Sequence, residues 1–364
     1  MIPVDFYTRN FKAFRSGVKF IGMGVLVLML TGFLVHGCNY LLLDDSQSYT
    51  RLTMHELYET EANIDTLFLG SSHCFRAYDP QLFTELTGKT SFNLGSSAQN
   101  YDTSYYLLRE AAKEHDIKTV YLDMHYKFLF IGKESRDLVQ ANIISDYMHL
   151  SFNKLEFLLQ TSESRQLTNR IFPFRREWKK LGDIPYLKEV FEKKQTRAYR
   201  NYEPVIAEQE YYAGKGFVYS EQELDAGAIT WWDKFGPVAE DMDSHETYTI
   251  SYIEKIVEFC REENIRLIFV TAPSFDQYLD VVGPYDMAYN YIKDMADHYE
   301  VLYLDFNLCK EEYLNLKEDS FMDVDHLNGK GAGELTTLLA RMDSGWVDID
   351  EYFNPCYDEK SADR

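Results

Sequence analysis

A short apolar run that ends in two serines is the first stretch of the chain with residues suited to chemistry. The run Thr66-Leu67-Phe68-Leu69 stops at Gly70, and Ser71 and Ser72 follow. A helical pattern begins near Asp79, so the stretch indicates a buried strand, a tight turn and a helix. Ligands of open α/β folds bind at the carboxyl ends of the strands, so we expect Ser72 to lie at such an edge as a candidate nucleophile.

An aspartate and a histidine far downstream complete the set that a serine nucleophile needs. Asp323 and His326 are three residues apart. One short turn can therefore bring the carboxylate against the imidazole, which fixes the tautomer and lets His326 take the serine proton. Asp325 is an alternative acid and Cys74 an alternative nucleophile. The spacing predicts a serine hydrolase or acyltransferase.

These motifs resemble those of the SGNH (GDSL-type) hydrolase superfamily. Gly70-Ser71-Ser72 matches its Gly-Asp-Ser block, with Ser71 in place of the aspartate, and Asp323-Val324-Asp325-His326 matches its Asp-x-x-His block. Asn93-Leu94-Gly95 resembles its second block. The Gly-Ser-Ser variant and the run that follows His326 are most similar to the membrane-anchored branch that includes the DltD proteins of teichoic acid D-alanylation. The resemblance covers roughly residues 64–342.

The resemblance implies a fold, a site and a substrate class. The fold is a three-layer α/β/α, flavodoxin-like arrangement around a parallel five-stranded sheet. Ser72, Asp323 and His326 are the implied catalytic residues, and the N–H groups of Ser72 and Gly95 are implied for the oxyanion hole. The implied reaction is hydrolysis or transfer of acyl esters on a cell-envelope glycopolymer or polysaccharide, without a cofactor. The alternative is an accessory partner of a membrane-bound O-acyltransferase, with little hydrolase activity of its own.

One block of the family is missing. The family supplies an oxyanion-hole asparagine from a Gly-x-Asn-Asp turn after the third strand, whereas this chain has Leu122-Asp123-Met124-His125 there. His125 is the candidate replacement. Loss of one such donor costs about 100- to 1000-fold in rate, so we expect weak hydrolysis of simple esters.

Other kinds of site have less support in the sequence. His73, Asp325 and His326 could bind a metal, but no His-x-x-x-His motif or cysteine pair supports it, so no metal is expected. The five cysteines lack metal-ligand spacing. A net charge of −22 argues against a nucleic-acid partner, because there is no basic surplus to meet phosphates.

Strands and helices alternate along most of the chain after residue 63. Strands are predicted at residues 66–69, 90–94, 118–124, 266–271 and 301–306, with helical patterns between them. This alternation indicates a parallel sheet with helices on both faces. Residues from about 131 to 245 interrupt the alternation, and we expect a mostly helical insertion there. Residues 343–364 form an acidic and loosely held tail.

The N-terminal region predicts a membrane anchor. Residues 1–19 carry four Lys and Arg, and residues 20–43 contain no Asp, Glu, Lys or Arg. A helix of that length spans roughly 36 Å, which is enough for a bilayer. The charge asymmetry predicts a single pass with the N-terminus in the cytoplasm, a stalk at residues 44–63 and the catalytic domain outside the cell membrane. The alternative is a cleaved signal peptide.

Overall fold

The chain combines an N-terminal apolar helix with a five-stranded parallel sheet, so the α/β class expected from the sequence is confirmed. The computed structural model describes residues 4–129, 132–133, 138–225, 227, 247–282, 285–343 and 348–362. The described strands are β1 (Thr66–Leu69), β2 (Ser91–Asn93), β3 (Thr119–Asp123), β4 (Glu210–Gly214), β5 (Phe217–Ser220), β6 (Arg266–Thr271) and β7 (Leu302–Asp305).

Sixteen α-helices lie within the described residues. They are α1 (Val4–Leu42), α2 (Tyr49–Glu59), α3 (Ser72–Ala77), α4 (Pro80–Thr87), α5 (Tyr101–Ala111), α6 (Val139–Tyr147), α7 (Phe152–Thr161), α8 (Ser164–Ile171), α9 (Ile184–Gln195), α10 (Arg197–Arg200), α11 (Thr247–Glu262), α12 (Asp276–Val282), α13 (Tyr285–His298), α14 (Gly329–Asp343), α15 (Ile349–Tyr352) and α16 (Tyr357–Ala362). Short 3-10 turns include Tyr126–Phe128, Pro173–Arg176, Trp178–Gly182, Phe306–Leu308 and Glu318–Ser320.

The sheet has the strand order β2-β1-β3-β6-β7, and all neighbouring strands are parallel. Its central strands are covered on both faces, since Leu67, Phe68 and Leu69 of β1 have no exposed surface. A parallel strand that is buried on both faces needs a continuous apolar run rather than alternation. The uninterrupted runs in the sequence predicted these strands for that reason.

The chain reverses its direction across the sheet between β1 and β3. It passes from β1 to β2 at one edge and then crosses back to place β3 on the other side of β1. Leu69 and Leu122 pair at the carboxyl ends of β1 and β3. The residues that follow each strand therefore meet at a topological switch point, where open α/β sheets bind their ligands.

The stretch predicted as a stalk is helical and partly buried. Residues 49–59 form α2, and Leu52, Met54 and Leu57 on it are buried. Ser48 caps the helix by accepting a hydrogen bond from the Arg51 N–H at 3.2 Å. Three apolar side chains are therefore buried in a stretch whose polar composition predicted a stalk.

The acidic tail also differs from the prediction of a loose segment. It contains α15 and α16, and Phe353 and Tyr357 are buried. The Tyr357 hydroxyl donates to the Asp276 carbonyl oxygen at 3.0 Å. Two buried aromatic side chains therefore hold a segment whose charge predicted solvent exposure.

The described part of the insertion contains a β-hairpin as well as helices α6 to α10. Strands β4 and β5 pair antiparallel around Lys215 and Gly216. The Asn93 N–H at the end of β2 donates to the Lys215 carbonyl oxygen at 2.9 Å, so the hairpin turn contacts the central sheet. The prediction of a mostly helical insertion overlooked this hairpin. Within the predicted insertion, residues 131, 134–137, 226 and 228–245 lie outside the described residues.

The chain divides into two compact units. One unit comprises Met1–Ser46 and Glu163–Asn201, and the other comprises Gln47–Ser162 and Tyr202–Arg364. The second unit contains the sheet and every residue of the candidate site. In the first unit, residues 18–34 of α1 are exposed. The stretch Val18–Leu42 is long and apolar enough to cross a membrane, which agrees with the predicted single-pass anchor.

Candidate functional site

Ser72 lies on the turn that leaves β1. Ser71 is the N-cap of α3, and Ser72 is the first residue of that helix. A Cβ at Gly70 would collide with the Cβ of Asp123 on the neighbouring strand. Only glycine allows this close approach, and the chain can therefore turn immediately after Leu69 and present Ser72 at the sheet edge.

Asp323 and His326 lie on a tight loop before α14. An antiparallel bridge between Phe321 and Leu327 closes the base of the loop. Asp323 Oδ1 accepts hydrogen bonds from the backbone N–H of Asp325 at 2.8 Å and of His326 at 2.9 Å. These bonds are those of an Asx turn, which fixes the carboxylate beside the ring of His326.

The structure brings Ser72, His326 and Asp323 into one hydrogen-bonded chain. His326 Nε2 lies 2.8 Å from Ser72 Oγ, and His326 Nδ1 lies 2.9 Å from Asp323 Oδ1 and 3.0 Å from Oδ2. The carboxylate favours the tautomer with the proton on Nδ1, so the Nε2 lone pair is available to accept the Ser72 proton. This arrangement can activate a serine nucleophile.

The charge state of Asp323 suits this arrangement. Burial raises the pKa of Asp323, but the hydrogen bond and the charge of His326 outweigh it and hold the pKa below its usual value. Asp323 is therefore ionised at neutral pH. An ionised carboxylate can stabilise the imidazolium that forms when His326 takes a proton.

A second, fully buried cluster lies beside these residues. His73 Nε2 is 3.4 Å from Asp325 Oδ2, and His125 Nε2 is 3.8 Å from Asp325 Oδ1. The Ser274 hydroxyl donates to Asp325 Oδ1 at 2.8 Å. The ring of His73 lies 4.7 Å from that of His326, so the cluster packs against the candidate base.

Asp325 is ionised within this cluster. Burial raises its pKa, but the charge of His73 and the hydrogen bonds of His125 and His73 hold the pKa well below its usual value. A buried carboxylate needs polar partners that offset its loss of hydration, and His73, His125 and Ser274 are placed to supply them. Asp323 rather than Asp325 contacts His326, and the geometry favours Asp323 as the triad acid.

The same cluster is the arrangement best suited to a metal among the described residues. His73, His125 and Asp325 offer ligand atoms within 4.8 Å of one another, so His125 stands where the sequence suggested His326. The ring centres of His73 and His125 are 3.7 Å apart. Two imidazoles on one Zn²⁺ have ring centres roughly 4.5–5 Å apart, given zinc–nitrogen bonds of about 2 Å. A cation would have to spread the rings, and the geometry favours a directly paired cluster.

The oxyanion donors differ from the sequence expectation at Gly95. The Gly95 N–H donates to Asn93 Oδ1 at 2.9 Å. The Asn93 amide is fixed in this orientation because its Nδ2 donates to the carbonyl oxygens of Cys74 and Tyr78, at 2.9 and 3.0 Å. Gly95 is therefore already engaged and is not placed to bind an oxyanion.

Two other expected donors remain. No described residue accepts a hydrogen bond from the Ser72 N–H at the start of α3. This group is thus placed to bind an oxyanion formed next to its own side chain. His125 is buried beside Asp325, and its role as an oxyanion donor stays a prediction.

Asp123 supports the serine turn, a role that was not expected from the sequence motifs. The Ser71 hydroxyl donates to Asp123 Oδ2 at 3.3 Å. Burial raises the pKa of Asp123 to about 7, although hydrogen bonds from Ser71 and from the Ala272 backbone lower it. An aspartate at the end of the strand next to β1 was the signal in the sequence, because adjacent parallel strands end side by side.

Cys74 is not available as a nucleophile in this structure. It is fully buried, and its thiol contacts Asn93 Oδ1 at 3.3 Å. Burial and the charge of Asp123 raise the pKa of Cys74 well above its usual value. The thiolate is the reactive form, so a buried neutral thiol is inert.

Comparisons with known proteins leave the family open. No protein-family model matches the sequence, and no curated protein is significantly similar to it.

Proposed function

We propose that this chain is a membrane-anchored serine esterase or O-acyltransferase. The hydrogen-bonded chain from Ser72 Oγ through His326 to Asp323 supports the proposal most strongly, with 2.8 Å between Ser72 Oγ and His326 Nε2. The SGNH resemblance of residues 64–342 supplies the substrate class, an acyl ester on a cell-envelope glycopolymer. On this proposal the domain beyond Asp45 lies outside the cell, and the N-terminus lies in the cytoplasm.

In the first half of the reaction, Ser72 Oγ attacks the acyl carbonyl carbon and its proton moves to His326 Nε2. Asp323 stabilises the resulting imidazolium across the 2.9 Å contact with Nδ1. The Ser72 N–H binds the negative oxygen of the tetrahedral intermediate. When the intermediate collapses, His326 returns the proton to the departing alcohol oxygen, and the acyl group stays on Ser72.

In the second half, an acceptor hydroxyl or water attacks the acyl-serine. His326 Nε2 takes the acceptor's proton and then returns it to Ser72 Oγ as the ester bond to the enzyme breaks. A sugar hydroxyl gives acyl transfer and water gives hydrolysis. The oxyanion hole lacks both the family's asparagine and a free Gly95 N–H, which favours a docked acceptor over water.

The incomplete hole also favours a second candidate function. The protein would then be an accessory partner of a membrane-bound O-acyltransferase and would bind acylated polymer or its partner without turnover. Envelope acylation in cells that carry Ser72→Ala separates the two functions. Normal acylation with this variant supports the accessory role, and loss of acylation with normal protein levels supports the enzyme.

The direct test is covalent labelling of the full chain in detergent with a serine-reactive fluorophosphonate. We expect one adduct, mapped to Ser72 by mass spectrometry, and none with Ser72→Ala. Ser71→Ala is the matched control, because it removes the neighbouring hydroxyl and its 3.3 Å bond to Asp123 but leaves the Ser72–His326 pair. Labelling that survives Ser72→Ala, or no labelling of folded wild-type protein, contradicts the enzymatic proposal.

A further inference from the structure

The unit that contains the membrane helix has an unusual charge. Its segment Glu163–Asn201 carries eleven Lys and Arg against five Asp and Glu, whereas the whole chain has a net charge of −22. Within it, residues 171–184 combine exposed basic and exposed apolar side chains. The basic set is Arg175, Lys179 and Lys180, and the apolar set is Ile171, Trp178, Leu181 and Ile184. We call residues 171–184 the interfacial segment.

The apolar side chains of this segment are well exposed. The exposed fraction is 62% for Trp178, 65% for Leu181 and 68% for Ile184. Large apolar side chains next to lysines and arginines are typical of segments that lie at the boundary between lipid and water. The basic side chains reach the headgroups while their stems and the apolar residues face the lipid.

Contacts with α1 determine how deep in the membrane the interfacial segment would lie. The Phe174 N–H donates to Asn39 Oδ1 at 2.8 Å, and the Tyr186 hydroxyl, just beyond the segment, donates to the Leu42 carbonyl oxygen at 2.9 Å. The segment therefore packs beside the last turn of the membrane-length helix. Earlier residues of the span, such as Leu28 and Phe33, are exposed.

The length of the span places that last turn in the headgroup layer. The apolar stretch Val18–Leu42 has 25 residues. A hydrocarbon core of about 30 Å takes about 20 of them, and each headgroup layer adds roughly 5–7 Å. Counted from Val18, the core ends near Gly37, so Asn39 and Leu42 lie at headgroup depth.

We propose that the interfacial segment lies in the headgroup layer of the membrane that α1 crosses, on the side of Asp44, and binds anionic lipid headgroups. The basic side chains of the segment would bind the lipid phosphates. Trp178, Leu181 and Ile184 would lie at the boundary between the headgroups and the acyl chains. This surface does not depend on the proposed reaction. It would fix the orientation of its own unit on the bilayer.

Fluorescence quenching in nanodiscs tests the depth. The chain has four tryptophans, so Trp231→Phe, Trp232→Phe and Trp346→Phe leave Trp178 as the only one. Ala198→Trp with Trp178→Phe is the matched control, because α10 lies beyond the end of α1, where the Tyr199 hydroxyl donates to Asp45 at 3.0 Å. We expect headgroup-nitroxide lipid to quench Trp178 at least about twofold more than the control tryptophan.

Leu28→Trp with Trp178→Phe reports whether α1 spans the bilayer, and lipid brominated deep in its chains should quench it. Equal quenching at positions 178 and 198 overturns the proposal and leaves the surface to a protein or polymer partner. Absence of quenching at position 28 also overturns the proposal, because the depth of the segment was counted along α1 as a helix that spans the bilayer.

A comparison of anionic and zwitterionic lipids tests whether the basic side chains of the segment bind anionic headgroups. Nitroxide-labelled phosphatidylglycerol should quench Trp178 more than nitroxide-labelled phosphatidylcholine. The difference should disappear when Arg175, Arg176, Lys179 and Lys180 are all changed to Gln. No difference in the protein with native charges overturns the assignment of anionic lipid.

Discussion

His73 and Asp325 contact each other at 3.4 Å, and each is the chain neighbour of a residue in the Ser72–His326 pair, whose contact is 2.8 Å. The turn after β1 and the loop before α14 therefore meet through two adjacent pairs, one accessible and one buried. The buried pair holds the two segments together, and the accessible pair is placed for chemistry.

Asparagine substitutions should separate these two roles. Asp323→Asn should slow fluorophosphonate labelling by about 10⁴-fold, because the amide no longer favours the correct tautomer of His326. Its stability should change little. Asp325→Asn should instead lower the free energy of unfolding by about 3–5 kcal/mol, because it removes one partner of the buried pair that Asp325 forms with His73.

Labelling rates measure the effect of each variant on the reactivity of Ser72, and urea denaturation measures its effect on stability. If a folded Asp325→Asn protein loses labelling and Asp323→Asn keeps it, Asp325 is the triad acid and the roles are exchanged.

The raised pKa of Asp123 predicts how stability depends on pH. Burial raises this pKa to about 7, against about 3.9 in an unfolded chain. Between these values the folded state keeps a proton that the unfolded state has lost. The free energy of unfolding should therefore fall as pH rises from about 4 to about 7, by up to about 4 kcal/mol from this group.

Asp123→Asn should remove the contribution of Asp123 to this pH-dependent decrease in the free energy of unfolding. Urea denaturation at pH values on either side of the window measures it. Asp305→Asn is the control, because burial also raises the pKa of Asp305, to about 6, and this variant keeps the contribution of Asp123. Identical pH profiles for wild type and Asp123→Asn would show that Asp123 does not titrate in this range.

The engaged Gly95 N–H predicts slow hydrolysis of simple esters. Water is a poor nucleophile, whereas a bound sugar hydroxyl gains from proximity, with effective molarities of about 10⁵ M or more. We expect slow turnover of p-nitrophenyl acetate, faster turnover when a glycan acceptor is added, and none in either case with Ser72→Ala. Hydrolysis at about 10 per second without acceptor would show that another donor completes the hole.

Two glycines with positive φ test how the hairpin turn fits the sheet. Gly88 has φ +72° and open space around its Cβ position, whereas Gly216 has φ +84° and a Cβ there would collide with the Asn93 carbonyl oxygen. Gly88→Ala should cost only the conformational penalty, about 1–2 kcal/mol. Gly216→Ala should cost clearly more, because the hairpin must also move away from β2.

Thermal unfolding of both variants gives the comparison. Equal losses of stability would mean that the hairpin turn can shift without disturbing the end of β2.

The sequence determined the strands of the sheet and the turn that carries Ser72, because the signals for both are local. A parallel strand buried on both faces requires an apolar run, and the residues of the 66–72 stretch predict the strand and the turn from neighbours alone. The Asp323–His326 contact is also local, since one Asx turn creates it. The span of α1 needed only length and composition.

Tertiary structure decided what depends on partners distant in the chain. The sequence left Asp323 and Asp325 as alternatives, and only the approach of His73 and His125 gives Asp325 a different environment. The sequence indicated that the Gly95 N–H is free to bind an oxyanion. In the fold it donates to the Asn93 side-chain oxygen, and the carbonyl oxygens of Cys74 and Tyr78 fix the orientation of that side chain. Burial of a polar segment or a charged tail likewise depends on which surfaces meet it, and neither composition nor periodicity contains that information.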